Sequence, residues 1–171
     1  MKRSYKILLG VALLSVVLIQ ACKPDLKGEL GDPYDKVDGL DGTWTLQSVI
    51  QTDEKAPDKR TLDLSSYYLG DGGASITFNK NNNTYTANFN SGKNFFGDAG
   101  TWEMTNAQFS IYNRIYPDAL WLINGTDSIE LTLGQPVRSF DSQLYLRLER
   151  RRLDGEEIKV RSSYEFEFVR N

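Results

Sequence analysis

The sequence predicts an all-β domain, an antiparallel barrel or sandwich of about eight to ten strands, and three observations carry that prediction. From Gly42 onward apolar and polar residues alternate at period two, the spacing of half-buried strands. Turn signals recur between the alternating runs, at Asp71-Gly72-Gly73, Asn81-Asn82, Asn124-Gly125 and Asp154-Gly155, and such short links join antiparallel neighbours. Only one short segment, within residues 55–69, leaves room for a helix.

The chain opens on an address rather than on structure. Lys2, Arg3 and Lys6 precede the uncharged residues 7–19, a signal-peptide layout that falls short of the about 20 apolar residues a spanning helix needs. The run ends in Ile19-Gln20-Ala21-Cys22, which resembles a bacterial lipobox: an aliphatic residue three before the cysteine, a small residue just before it, then the cysteine. Gln20 departs from the commonest pattern. The resemblance implies that Cys22, the only cysteine of the chain, takes a diacylglyceryl thioether and is acylated, with palmitate for example, at its freed amine. Several acyl chains on one residue make a stable membrane anchor where a single chain binds only marginally.

Three parts follow: a signal peptide at 1–21, a lipidated cysteine with a flexible tether at 22–41, and a β-domain at 42–171. Removal of 1–21 takes three of the 20 basic residues and none of the 23 acidic ones, so the formal net charge moves from −3 to −6. An acidic domain is a poor partner for nucleic acid. The tether expectation rests on the Asp, Gly and Pro content of residues 23–41 and their lack of apolar period.

In the first strand, residues 43–51 (TWTLQSVIQ), period two puts Trp44, Leu46 and Ile50 on one face with Ser48 between them. Next, Ala74, Ile76 and Phe78 alternate with Ser75, Thr77 and Asn79, and Tyr85, Ala87 and Phe89 follow across an Asn-rich link. A two-residue loop at Asn81-Asn82 pairs Phe78 with Tyr85, Ile76 with Ala87 and Ala74 with Phe89, so every apolar residue meets another. Gly100-Thr101-Trp102 repeats Gly42-Thr43-Trp44, and Phe109 and Ile111 alternate after it. A two-residue loop at Asn124-Gly125 pairs Leu120 with Ile129 and puts Trp121 and Ile123 on the face of Ser128, Glu130 and Thr132. In the last hairpin a two-residue loop sets Leu144 against Glu165. Leu144, Leu146 and Leu148 therefore face Tyr164, Phe166 and Phe168 only with one extra residue, in a three-residue loop or in a bulge near Ser162-Ser163.

Gly42-Thr43-Trp44, Ile76-Thr77-Phe78-Asn79 with Asn83-Thr84-Tyr85-Thr86, and Gly100-Thr101-Trp102-Glu103 together resemble the lipocalin-like lipoproteins of uncharacterised function found in Bacteroidetes. The likeness spans residues 40–169. It implies an up-and-down barrel of the calycin type; an immunoglobulin-like sandwich is the alternative.

Composition excludes much chemistry. With no histidine the Ser-His-Asp and Cys-His mechanisms are gone, together with the commonest zinc ligand, so neither a metal site nor a cofactor is expected. Cys22 is committed to lipid, and no glycine-rich phosphate loop is present. The chain is read as a non-enzyme, with a carboxylate-dependent hydrolase as the residual catalytic reading.

Binding candidates are Phe95 and Phe96, in a Gly-rich loop where period two does not explain them and where they would cover a barrel mouth, and Tyr67 and Tyr68, adjacent aromatics placed to stack on a ligand. Trp121 is a candidate interaction residue. Asp127-Ser128-Ile129 resembles the acceptor for O-linked glycosylation in Bacteroidetes, which marks Ser128. Arg150-Arg151-Arg152 reads as a solvated cluster. The expected function is a lipoprotein anchored to the outer membrane, face undetermined, that binds a small apolar molecule or lipid in the cell envelope. An accessory subunit that contacts an envelope protein is the alternative.

Overall fold

A computed structural model describes residues 36–70, 72–105, 119–134 and 141–171. Cys22, the leader and most of the tether lie outside them, as do Asp71, Phe109 and Ile111. The described elements are α1 (Lys36–Leu40), β1 (Gly42–Asp53), β2 (Thr61–Asp63), α2 (Ser65–Tyr68), β3 (Ala74–Asn79), β4 (Thr84–Phe89), β5 (Ala99–Thr105), β6 (Ala119–Asn124), β7 (Asp127–Leu133), β8 (Gln143–Asp154) and β9 (Glu157–Arg170).

The strands form one antiparallel sheet in the order β2-β1-β3-β4-β5-β6-β7-β8-β9, and β1 also pairs with β9. That second pairing closes eight strands into an up-and-down barrel, with β2 as an extra strand on β1. Closure also excludes the sandwich, whose two sheets would keep separate edges.

The interior is packed with side chains. Trp44, Ile76, Tyr85, Trp102 and Leu146 are each at most 3 % exposed and belong to one contiguous core with Phe166 and Phe168. Full burial of each such side chain stabilises by about 1.5–3 kcal/mol. The two Gly-Thr-Trp segments thus carry core tryptophans, and each indole is satisfied: Trp44 Nε1 donates to the Leu40 carbonyl (2.8 Å) and Trp102 Nε1 to that of Thr84 (3.1 Å).

Residues 36–40, expected as tether, are part of the barrel. Leu40 is fully buried, and the Arg170 guanidinium lies over the Trp44 ring and donates to the carbonyls of Gly39 and Asp41. The apolar pair Val37 and Leu40 packs onto the core, which a polar average over residues 23–41 conceals.

Two bulges set which residues face inward. Leu46 pairs with Phe168 but Ser48 with Glu167, so Gln47 is an extra residue in β1 and the parity flips beyond it. Val49 is buried in place of the expected Ile50, which pairs with outward Glu165. In the last hairpin Arg150 pairs with Ser162 and Arg151 with Val160, so Arg161 is the extra residue and the loop stays at two, Gly155-Glu156. The bulge expectation holds; the three-residue loop does not form.

The β3–β4 pairs are those expected, Phe78 with Tyr85, Ile76 with Ala87 and Ala74 with Phe89. The link there is four residues long, Lys80 to Asn83, and Asn83 takes the positive φ of 52°. The β6–β7 turn falls at Gly125-Thr126, so Leu120 meets Leu131 and Leu122 meets Ile129. Moving a two-residue turn by one position shifts the register by two, which leaves every side chain on its expected face.

Between its β3 pairs (Gly42 to Thr45) and its β2 pairs (Ile50 to Thr52), β1 has a short unpaired stretch on that flank. There the Val49 amide donates to Ser65 Oγ (3.0 Å) and its carbonyl accepts from Leu64 N (2.8 Å). These bonds seat α2 against the strand.

A candidate ligand pocket at the barrel mouth

The register places the end of β1, the β6–β7 and β8–β9 turns, α2 and the loop before β5 at one end of the barrel. There Phe96 turns inward: it is 2 % exposed, against Phe89 (5.4 Å between ring centroids) and Phe166 (4.9 Å). Three bonds fix its loop. Asn94 Oδ1 accepts from Phe96 N (2.9 Å), Asn94 Nδ2 donates to Asp98 (3.2 Å), and the Phe96 carbonyl accepts from the Tyr85 hydroxyl. Tyr85's phenol is raised by burial and then by Asp98, which keeps it a protonated donor. Gly97, with φ +74°, lets the loop pass so close to β6 that a Cβ would stand 2.5 Å from Asn124 Nδ2.

Outside this plug lies a cavity of about 680 Å³, within the size range of small-molecule sites. Its apolar part is Phe95, Phe96, Leu122 and Ile129; Lys93, Asn94, Asn124, Ser128 and Arg150 supply polar edges, and Asp127 is the one carboxylate in the lining. Phe95 is half-buried against Tyr164 at 4.9 Å, and it carries two cations: Lys93 Nζ lies 5.2 Å and Arg150 Cζ 5.9 Å from its ring centroid. Both distances are within cation–π range. Phe95 therefore lines the mouth, whereas Phe96 is a core residue rather than a cover.

Tyr67 and Tyr68 do not act together. Successive helical residues point about 100° apart, so α2 leaves Tyr67 60 % exposed and sends Tyr68 into the core, in edge contact with Phe89 and Phe166. Burial, with smaller contributions from Tyr164 and Tyr67, pushes the Tyr68 phenol up to about 12. A stacking platform made of both rings is therefore excluded.

The arginine run is divided by period two. Arg150 reaches the mouth, while Arg151 on the outer face meets Glu149 (2.9 Å) and Glu130 (3.4 Å). That second contact spans a split in the wall: β7 and β8 pair only from Leu131/Leu148 to Leu133/Leu146. Outside the split is a groove of about 330 Å³ lined by half-buried Trp121, and Ser128, Ile129 and Arg150 line both it and the mouth cavity. Ser128 is exposed on the outer face, opposite Ile123.

The carboxylates that converge do so on a cation. Glu54, Glu149 and Glu165 all contact Arg147, and Glu54, 9 % exposed, also accepts from Ser163 (2.7 Å) and meets Lys59 (3.2 Å). The Ser163 bond, against the opposing effect of burial and with help from Lys59 and Arg147, holds the Glu54 carboxyl below its usual value. Among the described residues no group of three or more His, Cys, Asp or Glu is placed to hold a metal ion.

The residues that sequence reasoning missed are Lys93, Leu122 and Ile129. Leu122 and Ile129 carry a period-two signal for an inward position, but nothing local says that they lie at the open end. Residues 20–135 match the family model described as a domain of unknown function, DUF5004, and no curated protein matches the chain.

Proposed function

The chain belongs to the DUF5004 family of domains of unknown function, and from that premise we propose that it is a lipocalin-like, membrane-anchored lipoprotein that binds a small, partly apolar molecule in the cell envelope. The observation that carries this reading is the cavity of about 680 Å³ at the mouth of a barrel whose middle is otherwise filled. There half-buried Phe95 and Ile129 sit beside a larger share of polar groups, among them Lys93, Asn94, Asn124 and Arg150. The anchor rests on the lipobox-like Ile19-Gln20-Ala21-Cys22, and the outer membrane is its proposed location.

A binder suits these residues better than a carboxylate-dependent hydrolase. Glu54, Glu149 and Glu165 are drawn onto Arg147, and the Glu54 carboxyl, lowered first by its Ser163 bond, is held ionised rather than poised to give a proton. An accessory subunit is the second reading, favoured by the half-buried Trp121 in its outer groove.

Native mass spectrometry of the protein extracted from its own host tests the proposal. The expected result is a chain beginning at acylated Cys22 that carries a small-molecule adduct, and the adduct is lost when Ile129→Trp fills the mouth. An unacylated amino terminus overturns the anchor, and an adduct that Ile129→Trp leaves in place overturns the site. A glycan mass on the peptide containing Ser128 that is lost in Ser128→Ala would identify that residue as an acceptor.

A further inference from the structure

We propose that the ligand of the mouth pocket is an amphiphilic anion, its carboxylate-like head at Lys93 and Arg150 and its apolar part against half-buried Phe95 and Ile129; this rests on the pocket being the binding site. In a chain with 23 acidic and 20 basic residues, cations readily find carboxylates. Arg147, Arg151, Arg161, Lys59 and Lys159 all do so. Lys93 and Arg150, like Lys55, Arg152 and Arg170, make no ion pair among the described residues; what these two share is the Phe95 ring of the pocket lining. Asp127 shares the pocket lining but pairs with neither.

Contact with the Phe95 ring puts both cations beside one residue of the pocket lining. Each held by an aromatic face, they keep their N–H donors for another partner, and a carboxylate has acceptors enough for both. The tail side follows from the lining. Phe96 and Leu122 are closed off in the core, so the apolar surface open to a chain is that of half-buried Phe95 and Ile129, while the head stays at the rim.

Isothermal titration of the mature chain, residues 22–171 with Cys22→Ser to leave out the acyl chains, separates charge from tail. The probes are decanoate and decyltrimethylammonium below their micelle concentrations and decanol below its solubility limit. Decanoate is expected to bind roughly fivefold to tenfold tighter than decanol, with the cation weakest. The preference narrows in Lys93→Gln and Arg150→Gln and falls further with added salt. Both side chains are exposed, so the variants keep the core intact.

Equal binding of decanoate and decanol overturns the anion inference and leaves the pocket standing as an apolar site. A decanoate preference that persists in the double variant overturns it as well. Failure of all three probes to bind removes the pocket, and the inference with it.

Discussion

The Tyr85 hydroxyl, carried by β4, donates to the Phe96 carbonyl in the loop before β5. The bond is buried, so it ties the loop to the wall at the point where Phe96 enters the core. Tyr85→Phe leaves that carbonyl without its partner, at a cost of about 1–3 kcal/mol. Urea denaturation should show the loss, and hydrogen exchange should quicken at residues 93–97. Unchanged exchange there would mean that Phe96 packing alone holds the loop.

Gly100 is required for space. A Cβ on it would stand 2.1 Å from the Ile123 carbonyl oxygen and 2.9 Å from Tyr85 Cε1. The first of these atoms is backbone and cannot swing aside. Gly100→Ala is therefore expected to destabilise by at least the about 1–3 kcal/mol typical of overpacking. Gly125→Ala meets no atom within 4 Å and bears only the cost of its φ of +62°, about 1–2 kcal/mol. Thermal melts of the two variants compare them directly, and equal losses would contradict the crowding at Gly100.

These residues also show how far the sequence could be read. The faces of β3, β4, β6 and β7 follow from alternation, because a side-chain period of two survives errors of two residues in a turn. Gln47 and Arg161 are different. The need for one extra residue in the last hairpin can be deduced from Leu144 and Phe168, since both must face inward. No such constraint flags Gln47, because Val49 and Ile50 are both apolar and either parity reads as sensible. Lys93 and the role of Arg150 escaped for a third reason: their positions depend on a loop and a hairpin meeting at one barrel end, which only the closed topology brings together.

Glu54 gives the protein a pH dependence of known sign. Its carboxyl is held below its ordinary value, by the Ser163 bond first. In the window between the two values the unfolded chain holds the proton and the native chain does not, so stability rises with pH there. The contribution is complete above the unfolded value and is lost as pH falls through the native one. Glu54→Gln is thus expected to cost about 1.5–3 kcal/mol at pH 7, the range for hydrogen bonds to charged groups. Chemical denaturation at pH 7 and pH 3 should show the gap between the two proteins closing in acid. A gap independent of pH would place the effect in packing instead.

Arg151 crosses the split between β7 and β8 just beyond the last ladder pair, with Glu149 on its own strand and Glu130 on the facing one. Arg151 and Glu149 are partly exposed, but the Glu130 side chain is only 8 % exposed, so Arg151→Gln should lower global stability by about 1–3 kcal/mol. Its local effect should be larger, because above Leu131/Leu148 no ladder pairs join the two strands. Faster hydrogen exchange is expected foremost at residues 127–130 and 149–151. Since Ser128, Ile129 and Arg150 line the cavities on both sides of this split, loosening it should also speed the release of bound decanoate. Stopped-flow displacement measures that rate, and an unchanged rate beside faster exchange would mean that ligand leaves through the mouth and not through the wall.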